Sequence, residues 1–282
     1  MHKLGPIHVG GSNPIRIMGI LNLSPESFYK NSIKTTKNAI SQAVCMMEQQ
    51  GADLIDVGAM STAPYLSTMI TQREESKRLT GAIKTIQNVS NLPISVDTCR
   101  ASVAKNALEL GVDIINDVTG LKHDKDMAKI IQHFLPSVIL CAYEPNSVSG
   151  DSNETKRILK KSILIAKKAG LPLNKITLDP SIGFFRNSGR GRLFSRIKTD
   201  WIRRDLETLG NLKEIKQNLP IMVSISRKSF IGAILDKDPD GRLAGSLACE
   251  VLSSIKGADV IRTHNVGETR HAVRLTRTNK SL

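Results

Sequence analysis

The chain has 282 residues, 40% hydrophobic and 23% charged, with a formal net charge of +14. No run approaches the ~18 apolar residues of a membrane span, and the opening Met1-His2-Lys3-Leu4-Gly5-Pro6 lacks the apolar core of a secretion signal. The scattered Cys45, Cys99, Cys141 and Cys249 form neither a Cys-x-x-Cys zinc signature nor a disulfide framework, so a cytoplasmic globular protein with reduced thiols is expected. Aromatics are only 4%, which supplies a base-stacking surface for nucleic acid poorly. Much of the positive charge falls on outer helix faces, as with Lys156, Arg157, Lys160 and Lys161, and reads as solvated surface.

In chain order, short apolar runs recur at 15–22, 53–58, 94–98, 113–118, 137–143, 175–180, 220–226 and 259–265. Each is bounded by proline, glycine or polar residues, the habit of strands buried on both faces in a parallel sheet. Between most of them the spacing turns helical: Ile40, Ala43, Val44 and Met47 make one stripe, and Ile158, Ser162, Ile165 and Ala169 another. Gly51, Gly111 and Gly257 stand just before strands, where a left-handed residue ends the preceding helix. Eight strand–helix units in a chain of this length predict a single-domain (β/α)8 barrel over 1–282. A doubly wound open sheet fits less well, because no Gly-x-Gly-x-x-Gly turn follows the first strand. The longest irregular stretch, 184–201, is rich in Arg and Gly.

Polar residues sit at nearly every strand's carboxyl end: Asn22, Asp56, Asp97, Asn116, Asp179, then Arg227-Lys228-Ser229, then Arg262 and His264. A single one reads as a helix cap; Asp97 or Thr98 could simply start a helix over 100–110. Their recurrence at the end where barrels carry their chemistry points instead to one converging site. Asp97, Asn116 and Asp179 offer acceptors and an amide donor to a flat heterocycle with several N–H groups. Lys228, Arg262 and His264 follow strands seven and eight, where barrels commonly bind phosphate.

These residues carry a resemblance. Met18-Gly19-Ile20-Leu21-Asn22-Leu23-Ser24-Pro25-Glu26-Ser27-Phe28 resembles the opening motif of dihydropteroate synthases. Asp56-Val57-Gly58, Ser61-Thr62, Val96-Asp97-Thr98, Ile115-Asn116-Asp117, Leu178-Asp179-Pro180, Ser226-Arg227-Lys228-Ser229 and Arg262-x-His264 follow in that family's order. The resemblance implies a barrel enzyme that joins a dihydropterin diphosphate to an aromatic amine and releases pyrophosphate. It implies that Asp97, Asn116, Asp179 and Lys228 hold the pterin, that Asn22 helps place Mg²⁺, and that Arg262 and His264 meet the diphosphate. Phe28, Thr62 and Ser229 would form the amine site, and a homodimer is expected.

The chain departs from the family pattern at Glu26 and Asn265, where Asp is usual, at Ala63, where Arg is usual, and at Met60, where Glu is usual. These changes leave two amines open: 4-aminobenzoate, or a ribofuranosyl-aminobenzene phosphate met by Arg186, Arg190 and Arg192, which otherwise form a solvated loop. The alternative activity is a pterin-dependent methyltransferase domain acting with a corrinoid protein. The presence of Asn22, Lys228-Ser229 and Arg262-x-His264 favours the synthase, since a methyltransferase has no diphosphate to release.

Overall fold

The computed structural model describes residues 1–25, 33–66 and 69–278. Phe28, with Glu26, lies outside the described residues.

The chain opens on a small antiparallel hairpin, β1 (His2–Leu4) and β2 (Ile7–Val9), turned at Gly5 with φ +60°. Eight parallel strands follow: β3 (Arg16–Asn22), β4 (Leu54–Gly58), β5 (Ile94–Asp97), β6 (Ile114–Asp117), β7 (Ser137–Cys141), β8 (Ile176–Asp179), β11 (Met222–Ser224) and β12 (Val260–Thr263). β11 pairs with β12, β12 with β3, and the ladder then runs in sequence order to β8. The Leu178 amide donating to the Pro220 carbonyl at 2.8 Å brings β8 back to the start of β11, so the sheet curls into the expected barrel. Two further two-residue strands, β9 (Phe185–Arg186) and β10 (Ser195–Arg196), pair parallel within the long stretch after β8.

Helices α1 (Lys37–Gln49), α2 (Gln72–Gln87), α3 (Ala101–Glu109), α4 (Met127–Phe134), α5 (Ser152–Lys168), α6 (Trp201–Gly210), α7 (Leu212–Ile215), α8 (Ser229–Leu235), α9 (Leu243–Ile255) and α10 (Val266–Thr278) surround the sheet. Several starts are written in the sequence: Thr36, Thr71, Asp151 and Asp200 each accept a backbone N–H from the first turn of α1, α2, α5 and α6. Gly51, Gly111 and Gly257 take positive φ of 85–100° after α1, α3 and α9, as expected of left-handed caps. Asp97 and Thr98 do not cap α3. The first amide of that helix, Ala101 N, is held by Asp124 Oδ2 at 2.8 Å, which leaves Asp97 to face the barrel mouth.

Strands with both faces apolar bury one face under the helices and the other inside the barrel. Ile55, Val57, Val96, Ile115 and Leu140 pack outward against the helix layer. Met18, Leu54, Ile114, Ile139, Met222 and Val260 point inward and pack with Leu4 and Val9 of the hairpin, which stops the N-terminal end. The hairpin is pinned there by Gly5 N donating to Ser137 Oγ at 2.9 Å. Register then fixes the opposite end: Asn22 pairs with Gly58, Gly58 with Asp97, and Asp97 with Asn116, all in one row. Cys141 pairs with Asp179 and Ser224 with Arg262 in the same way. Directly paired residues point to the same side of a sheet, so this register lines the mouth with polar groups.

Candidate functional site

Asp56 is the hidden centre of the mouth. It sits fully buried within β4, where a lone carboxylate is costly. Ser95 Oγ donates to one of its oxygens at 2.6 Å, and Asn116 Nδ2 (3.2 Å) and Arg262 Nε (2.6 Å) donate to the other. The Arg262 guanidinium also reaches Asp97 Oδ2 at 3.3 Å and Ser224 Oγ at 3.2 Å. Burial alone would make Arg262 easier to deprotonate; Asp56 and Asp97 outweigh it and hold the guanidinium charged. Asp97 has no such surplus of help. Burial and the negative Asp56 beside it push its carboxyl up to about 7, against the pull of Arg262.

Across the barrel, burial also raises the Asp179 carboxyl, opposed by the Ser181 amide at 2.7 Å and by the charge of Lys228. Lys228 moves the other way: its ammonium is pushed down to about 8 by burial, with Asp179 opposing. Its Nζ lies 4.1 Å from the centre of the Phe184 ring, a cation–π contact that fixes the aromatic wall. Gly183, at φ +89°, makes this possible, because a Cβ there would come within 2.7 Å of Lys228 Cδ.

His264 follows β12 and is anchored on Ser226. The His264 amide donates to Ser226 Oγ at 3.2 Å, and that hydroxyl lies 3.0 Å from the ring Nδ1. A hydroxyl that accepts from the amide is oriented to donate to Nδ1, which puts the proton of a neutral ring on Nε2. Neutrality follows from burial and from the Arg262, Arg227 and Lys228 charges, which drive its pKa well below the ordinary value. His264 thus offers a hydrogen-bond donor rather than a charge.

Asn22, Thr62, Asp97, Asn116, Asp179, Lys228, Ser229, Arg262 and His264 all border one cavity, open to solvent. Of the residues expected from the sequence, only Phe28 cannot be placed, since it lies outside the described residues. The arginines after β8 are divided. Arg186 is buried on Asp205 and is no part of a solvated loop, whereas Arg190 and Arg192 are exposed beside the second loop, 61–66.

That loop is not left open by its substitutions. Met60 packs with Cys99, Val118 and Leu193, and the Pro64 carbonyl accepts from Gly191 N at 2.8 Å. The sequence left Phe184, Tyr65 and Ser226 unassigned, and it gave no role to Asp56. A polar residue between Ile55 and Val57 in an apolar strand was the available signal for Asp56. Phe184 and Tyr65 lie in irregular segments with no periodicity to mark them.

Fold and mouth together define the class: a barrel whose polar rim has the acceptors and donors to hold a flat, N–H-rich ring beside an anion. Residues 18–264 match the family model described as pterin binding enzyme. A dihydropteroate synthase from Clostridium beijerinckii is 35% identical over 263 residues, covering 92% of each chain. Among solved structures, the dihydropteroate synthase of Clostridium difficile, crystallised in the presence of pteroic acid, superposes with a TM-score of 0.83 at 35% identity, over 99% of both chains. The Xanthomonas albilineans dihydropteroate synthase with 4-aminobenzoic acid gives 0.83 at 26% identity, over 96% of this chain and 94% of that one. The chain belongs to the pterin-binding enzyme family, in its dihydropteroate synthase branch.

Proposed function

We propose that this protein condenses 6-hydroxymethyl-7,8-dihydropterin diphosphate with 4-aminobenzoate to give dihydropteroate and pyrophosphate, a step of folate synthesis. The observation that carries the reading is the meeting of Asp97, Asn116, Asp179 and Lys228 in one cavity with His264 and Ser229. The carboxylates and the Asn116 amide match the N–H and carbonyl edge of a pterin, and Phe184 offers a face for its ring.

In the reaction the amine nitrogen attacks the pterin methylene carbon as the carbon–oxygen bond to diphosphate breaks, and a proton leaves the amine. Positive charge develops on the pterin as that bond lengthens. An ionised Asp97 facing the ring stabilises this charge more in the transition state than in the ground state. Lys228 and the His264 Nε2–H face the cavity as donors to leaving-group oxygens. The second loop shields the reactive carbon from water.

The residues also fit Mg²⁺. This ion keeps several waters and takes one or two protein oxygens with the substrate's phosphates, and the amide oxygen of Asn22 is such a ligand. Bound there, Mg²⁺ would neutralise charge on the departing diphosphate.

The phosphate-bearing amine is the weaker choice, because Arg186 stands behind the cavity wall on Asp205 and Ser229 and does not border the cavity, where a direct phosphate contact would be made. Pyrophosphate release from the dihydropterin diphosphate, with Mg²⁺ and each amine in turn, tests the reading. Turnover with 4-aminobenzoate is expected. A clear preference for the ribofuranosyl-aminobenzene phosphate would overturn the choice of amine, and no release with either would overturn the synthase.

A further inference from the structure

Arg186 is more than nine-tenths buried, yet it stands directly behind the cavity wall. Its Nη1 donates to Asp205 Oδ2 at 3.1 Å and to the Phe185 carbonyl at 2.6 Å. Its Nη2 donates to Ser229 Oγ at 2.8 Å, and the guanidinium lies 4.0 Å from the Trp201 ring centre. Ser229 in turn borders the cavity. A hydroxyl that accepts from a guanidinium on one side has its own proton left to donate, and the open side is the cavity.

The charge balance behind that wall is uneven. Asp205, fully buried, also accepts from Arg204 Nη1 at 3.2 Å and from Gly183 N at 3.0 Å. Among the described residues the two buried guanidiniums share one ion-pairing carboxylate, with Asp179 acting on Arg204 from further off. A buried cation without its counter-charge is costly, and an anion arriving at Ser229 would relieve that cost. The same end of the cavity is bordered by Tyr65, which feels the positive charge of both Arg242 and Arg186.

We propose that Arg186 is a positioning residue that sets the specificity for the amine. It orients the Ser229 hydroxyl into the cavity and supplies the uncompensated positive charge that selects an arylamine carrying an anionic group over a neutral one. The inference rests on the synthase reading above and deepens it. Trp201 and Asp205, both on α6 or at its start, hold the guanidinium in place, so this selectivity is built into the segment after β8.

The test compares 4-aminobenzoate with the near-isosteric but neutral 4-aminobenzamide in steady-state turnover by wild type, Arg186→Met, Arg186→Lys, Ser229→Ala and the Arg186→Met/Ser229→Ala double variant. In Arg186→Met the KM for 4-aminobenzoate should rise about tenfold or more, the size of a lost charge-assisted hydrogen bond. The KM for the pterin diphosphate should stay unchanged, and the preference for benzoate over benzamide should collapse. Arg186→Lys should keep most of that preference, and the double variant should lose less than the two single changes combined.

Should Arg186→Met fail to fold, Arg186→Lys and Ser229→Ala decide between the outcomes. An unchanged benzoate preference in both, or a KM that rises equally for both substrates, overturns the role of Arg186. Absence of pyrophosphate release by the wild type would instead sink the synthase reading itself.

Discussion

Asp97 and Lys228 border one cavity with their ionisation displaced toward each other, the acid up to about 7 and the base down to about 8. The working form has both charged. Below about pH 7 Asp97 takes up a proton and can no longer balance a cationic ring; above about pH 8 Lys228 loses its charge. The kcat/KM for the pterin diphosphate should therefore peak between these values and fall on either side, which a pH series on the wild type checks. Asp97→Asn should lower kcat/KM by ~10²-fold and remove the acidic limb, as loss of one preorganised electrostatic group does.

The identities of these residues were legible because an acid or amide at the end of an apolar strand stands out against its neighbours. Their partners were harder to read. Nothing in the spacing says that Asp56 anchors Arg262 at 2.6 Å, a contact between residues 206 positions apart. The His264–Ser226 pair was equally invisible, since it joins residues beyond the ends of two separate strands.

At the level of elements, the second loop and the segment after β8 act as one unit. Gly191 donates to the Pro64 carbonyl, and a Cβ at Gly189 would drive into the same oxygen. Gly189→Ala should push the two segments apart and raise the KM for the amine several-fold, with thermal stability little changed because the contact lies at the rim. A steady-state assay beside a melting curve distinguishes this from a general loss of fold.

The eight barrel strands and the helices between them could be read from alternating apolar runs and helical stripes, because burial on a regular element imposes a period. The hairpin β1–β2 and the pair β9–β10 could not. Elements of two or three residues carry too few side chains to show any period, and their pairing is set by distant contacts such as Val148 with Ile197. For the same reason the sequence left Arg186, Arg190 and Arg192 open between meeting a phosphate and lying in a solvated loop. Only the fold shows that Arg186 and Arg204 turn inward onto Asp205.

For the whole molecule, the barrel separates its tasks by end. The hairpin seals one end with Leu4, which is fully buried among inward-facing barrel residues, while the polar row occupies the other. Leu4→Ala should cost about 3 kcal/mol of stability, as a cavity in a packed core does. Kinetic constants below the melting range should stay unchanged; denaturant unfolding and steady-state rates measured on the same preparation check both halves.

The stopped end also governs traffic. With apolar side chains filling the barrel floor, substrates and products share the opposite rim as a doorway. Spent pyrophosphate must therefore back out along the route by which the next pterin diphosphate arrives, past the same donors that welcomed it. Accumulating pyrophosphate should therefore slow turnover in competition with the pterin diphosphate, and an added pyrophosphatase should relieve it in a progress-curve assay.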